Sequence, residues 1–65
     1  MTILALEFSS PQRSVAVARD NSVANEIVET GGRDTNAFGM IERVLAEAKI
    51  EREEIGVIAI GLGPG

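Results

Sequence analysis

The strongest constraint on this chain is the run Ile55-Gly56-Val57-Ile58-Ala59-Ile60, uncharged and rich in β-branched residues, which follows its one helical segment. A short, continuous apolar run of this kind reads as a buried strand. After a helix it pairs in parallel with an earlier strand, because a parallel neighbour is reached only by a crossover. Ile3 to Phe8, apolar except for Glu7, is the matching earlier run. Two such strands side by side need cover above and below the sheet. What else the sequence holds decides whether they have it.

Between the two runs lie two more strands and a helix. Ser9-Ser10-Pro11-Gln12-Arg13 breaks the first run, since serines favour turns and proline ends regular pairing. Ser14 to Arg19 is a second strand, with Val15 and Val17 on one face and alanines on the other. Asp20-Asn21-Ser22 is a hairpin signal, because Asp and Asn tolerate the left-handed backbone of tight turns. Val23 to Thr30 is a third strand, and its Glu26 and Glu29 mark it as a protected edge. Gly31-Gly32 separates the strands from a helix capped by Asp34 or Thr35 and ending at Ala48 or Lys49. On it Ala37, Phe38, Met40, Ile41, Val44, Leu45 and Ala48 cover an arc of roughly 160°, wider than the stripe one sheet face requires. Gly39 and Ala46 lie nearly in line on the opposite side. They read either as a seam for a partner helix or as a tolerated flaw beside a good helix former. Glu51-Arg52-Glu53-Glu54 is a solvated connection without chemistry. The order β-β-β-α-β describes an antiparallel meander, a crossover helix and a parallel strand beside the first. One helix covers one face of that mixed α/β sheet and leaves the other bare, which is half of a fold.

Composition narrows the function. At 65 residues a chain buries only about 60% of its unfolded surface and stands near the lower limit of independent stability. There is no cysteine, which excludes disulfides and thiolate metal sites, and no histidine, which excludes a Ser-His-Asp triad and the commonest zinc ligand. With 6 basic and 10 acidic residues the net charge is −4, so nothing favours direct binding of nucleic acid. Hydrophobic residues make up 45%, too many for a disordered acidic tail. The N-terminal stretch lacks a basic region and reaches Glu7 after a few apolar residues, too short for a signal peptide or a membrane span. A cytoplasmic protein with no membrane association is the expectation.

Two segments stand out chemically. Glu7-Phe8-Ser9-Ser10 ends a buried strand with a carboxylate followed by hydroxyls and turn N–H groups, a set that holds phosphate oxygens or a magnesium-bound water. The alternative is structural, with Glu7 accepting hydrogen bonds from the turn and the serines capping it. Gly61-Leu62-Gly63-Pro64-Gly65 directly follows the parallel strand, where ligands gather in open α/β sheets and where glycines allow close backbone approach. It is neither a Walker loop nor a dinucleotide fingerprint, because the lysine, the Ser/Thr and the following helix are absent.

Ile3-Leu4-Ala5-Leu6-Glu7-Phe8-Ser9-Ser10, Ser14-Val15-Ala16-Val17 and Ile58-Ala59-Ile60-Gly61-Leu62-Gly63-Pro64-Gly65 together resemble the N-terminal third of the TsaB (YeaZ) family. These are bacterial proteins of tRNA threonylcarbamoyladenosine biosynthesis, related to an older glycoprotease group. The resemblance implies the N-terminal half of an actin-like, sugar-kinase-like, Hsp70-like ATPase domain, with residues 1–65 a partial, truncated subdomain. It implies a non-catalytic scaffold subunit that pairs with a TsaD-type catalytic homologue and a TsaE-type ATPase and meets tRNA only indirectly. It also implies self-association through the helix, with Phe38, Gly39, Met40, Arg43 and Ala46 at a homodimer or partner interface. Glu7, Ser9, Ser10, Gly61, Gly63 and Gly65 would be a vestigial nucleotide or phosphate site. No catalytic residue, metal or obligatory cofactor is expected, beyond weak ATP or ADP with magnesium in the full-length protein.

The sequence departs from the family at telling places. Glu7 stands where the family usually has Asp, displacing the carboxylate by about one bond from the geometry a magnesium-bound water needs. Catalytic relatives carry His-x-x-x-His on the helix, whereas this region reads Arg33-Asp34-Thr35-Asn36-Ala37. The alternative function is a nucleotide-binding ATPase or small-molecule kinase of the same fold. A glycoprotease-type peptidase is the third reading, and without His or Cys it has no visible chemistry.

Overall fold

Alternation of branched and small side chains gives the chain its sheet. A computed structural model describes residues 1–8, 12–30 and 37–61. It contains β1 (Thr2–Glu7), β2 (Gln12–Arg19), β3 (Ser22–Thr30), α1 (Ala37–Ala48), a 3-10 turn (Arg52–Glu54) and β4 (Ile55–Gly61). The strand order is β3-β2-β1-β4, antiparallel for β3-β2-β1 and parallel for β1-β4. This is the mixed α/β sheet and the β-β-β-α-β order expected from the sequence. Asp20 and Asn21 join β2 to β3 with φ of 53° and 70°, the two successive left-handed residues of a type I′ hairpin. β3 lies at an edge, as its glutamates imply.

Register sorts the side chains. Leu4 pairs with Val17, Leu6 with Val15, and Val15 with Ile27, so these residues share the face on which α1 packs. A bulge between Val17 and Ala18 leaves Ala24 as the extra residue of β3 and aligns Asn25 with Val17 on that face. Met40, Val44, Leu45 and Ile50 close over Leu4, Val15, Val17 and Ile27 to form the core. Full burial of side chains such as Val15, Val17 and Val44 contributes about 1.5–3 kcal/mol each. The Asn25 amide donates to the Val44 carbonyl and to Glu47 Oε1, both at 3.2 Å, and Arg43 meets Glu29 at 3.1 Å. These contacts run α1 antiparallel along β3.

The helix stops in a Schellman motif. Lys49 N–H donates to the Ala46 carbonyl, Ile50 N–H donates to the Leu45 carbonyl, and Lys49 sits at φ 60°. Ile50 is thereby buried against the end of α1. The charged connection is more ordered than a bare solvated turn, since Glu54 accepts from the Glu51 N–H at 2.8 Å and from Arg19 at 2.5 Å. The expected capping residues Asp34 and Thr35 lie outside the described residues. Among the described residues no helix is long and apolar enough to cross a membrane.

One expectation is corrected. β4, read as a buried strand, is an exposed edge among the described residues: Ile58 and Ile60 keep 59% and 62% of their surface accessible. Both share the α1 face with Leu4 and Leu6, but α1 lies over β2 and β3 and does not extend over them. The composition of β4 reports a need for cover that the described elements do not meet.

Candidate functional site

The parallel pairing of β1 with β4 brings the two chemically interesting segments together. Glu7 is the register partner of Gly61, at the carboxyl ends of both strands and on the face opposite α1. The Phe8 N–H donates to the Gly61 carbonyl at 3.3 Å, which fixes the two chain ends beside each other. The Glu7 carboxylate folds across the sheet and rests on the Gly61 α-carbon. A β-carbon at position 61 would stand 2.0 Å from Oε2 and 2.8 Å from Cδ of Glu7. What a side chain at position 61 would meet is thus the movable end of Glu7, and no unusual backbone angle calls for glycine there.

This places an exposed carboxylate where two parallel strands end, beside a backbone without a side chain. Such a position suits a water-bound cation or the N–H-lined approach of a polar ligand. Ser9, Ser10, Gly63 and Gly65, which the sequence associates with the same site, lie outside the described residues. Among the described residues no group of three or more acidic, histidine or cysteine side chains could hold a metal ion.

Two neighbours were not singled out in the sequence. Phe8, the residue just after β1, packs on the core from the α1 face, and the Arg13 guanidinium lies 5.6 Å from its ring centroid. That stacking contributes about 0.5–1 kcal/mol and keeps a cation at the same end of the sheet as Glu7. Arg13 follows the expected turn directly, which was the available signal. Its approach to Phe8 depends on a chain reversal that spacing does not reveal.

The interface residues proposed on α1 divide. Phe38 is 78% exposed, Ala46 is exposed, and Gly39 is half-buried. Met40 is corrected: only 2% exposed, it belongs to the core beneath the helix and cannot form an outer surface. Arg43 is exposed but turned toward β3, where it pairs with Glu29, and it also approaches Glu47 at 3.8 Å. The outer strip is therefore Phe38, Glu42, Ala46 and Gly39, narrower than the apolar arc counted from the sequence. Phe38 and Ile41 also form one wall of an open apolar groove whose other wall is Ile55 to Ile58.

No protein-family model and no curated protein matches the chain. Solved structures do. YeaZ from Pseudomonas aeruginosa superposes with a TM-score of 0.86 at 30% identity, over 98% of this chain and 30% of that one. A second structure, of an uncharacterized protein with similarity to peptidase YEAZ from Pseudomonas aeruginosa, superposes at 0.84 and 31% identity with the same coverage. The chain spans 30% of the length of these relatives. Its arrangement fits the β-β-β-α-β opening of the actin-like, sugar-kinase-like and Hsp70-like ATPase fold.

Proposed function

We propose, from the premise that this chain has the fold of the TsaB (YeaZ) family, that it serves as part of a non-catalytic scaffold in the assembly that makes threonylcarbamoyladenosine in tRNA. The observation that carries the reading is the superposition on YeaZ over 98% of the chain. Its agreement with a chain lacking both histidine and cysteine supports a role without covalent chemistry in these residues. On this reading the partners are a TsaD-type catalytic homologue and a TsaE-type ATPase, and tRNA contacts the assembly through them. The outer strip of α1 built from Phe38, Gly39 and Ala46 is the surface offered to a homologue or to a second copy. Small residues at 39 and 46 let another helix approach closely, and Phe38 supplies the anchor.

The test is binding of the chain to the TsaD-type homologue from the same organism, with Phe38→Ser and Gly39→Leu as variants. Weakened association with an unchanged far-ultraviolet spectrum supports the scaffold surface. Association that ignores both substitutions contradicts it.

A second reading rests on the contact between Glu7 and Gly61: a nucleotide site, with the carboxylate holding magnesium and the glycine segment approaching phosphates. Titration calorimetry with magnesium-ATP separates the two. Binding that Glu7→Ala abolishes favours the nucleotide site. Binding unchanged by Glu7→Ala, or no heat at all, removes Glu7 from any such role.

A further inference from the structure

We draw no further inference here: the strongest candidate, the open apolar groove between Phe38 and Ile41 of α1 and the Ile55 to Ile58 stretch of β4, carries nothing, because the chain spans 30% of the length of the structures it matches and nothing in the structure shows what covers that face.

Discussion

Substitution of Gly61 by alanine tests the geometry of the candidate site with the least disturbance. The new β-carbon would lie 2.0 Å from Oε2 and 2.8 Å from Cδ of Glu7, so the two cannot keep their positions. The obstructing atoms are the far end of a flexible side chain, and rotation of Glu7 relieves the overlap at modest cost. Gly61 shows no left-handed φ, so alanine meets no backbone strain there. With Glu7 truncated to alanine, Gly61→Ala should stabilise the fold by about 0.4–1 kcal/mol, because alanine restricts the unfolded chain. With Glu7 intact, that gain should be offset by displacement of the carboxylate. The coupling between the two positions should then fall at the low end of the range for residues in contact, about 0.5–1 kcal/mol. The assay is a double-mutant cycle of Glu7→Ala and Gly61→Ala, followed by urea unfolding at fixed protein concentration. Effects that add to within about 0.3 kcal/mol would refute the contact, since independent sites behave that way.

The other predictions concern the elements that position the site. Leu45→Ala removes a buried side chain at the end of α1 and should cost about 2–5 kcal/mol, read as a lowered urea midpoint or outright loss of helical signal. Lys49→Gly relieves a left-handed residue in the Schellman motif and should raise stability by about 1 kcal/mol, measured by thermal unfolding. Asn25→Ala deletes the amide that bonds the Val44 carbonyl and Glu47, and should cost about 1–2 kcal/mol while speeding amide exchange in α1. Asn21→Val puts a β-branched residue at φ 70° in the hairpin and should destabilise by about 1–2 kcal/mol in the same unfolding assay.

Local chemistry made most of the architecture legible. Asp20-Asn21 could hardly be anything but a tight hairpin, and the valines of β2 alternate with alanines as a one-sided strand requires. Parallel pairing of β4 with β1 followed from the intervening helix. Burial was less legible because it depends on what lies beyond the strand. Ile55 to Ile60 has the composition of a covered strand, yet α1 leans toward β3, drawn by the contacts of Asn25 and Glu29 with Val44, Glu47 and Arg43. Those tertiary ties also explain Arg43, which the family resemblance assigns to an interface but which a carboxylate on the neighbouring strand turns aside. Met40 illustrates the same limit. A wide apolar arc does not say which of its edges meets the sheet, and here the core takes Met40 while Phe38 remains outside. The proximity of Glu7 and Gly61 was implicit in parallel pairing, but the folding of the carboxylate onto the glycine was not, because a rotamer is set by the space left for it.

On the proposed reading these residues belong to a scaffold and carry no covalent chemistry. The most direct test of that reading is nucleoside analysis of tRNA after reconstituted threonylcarbamoyl transfer. The TsaD-type and TsaE-type proteins of the same organism are combined with a protein carrying these residues, with its Glu7→Ala variant, or with neither. Modification should collapse when the protein is omitted and persist with Glu7→Ala. Modification that proceeds equally well without the protein would contradict the scaffold role, and modification lost with Glu7→Ala despite unchanged binding to the TsaD-type protein would contradict the absence of chemistry.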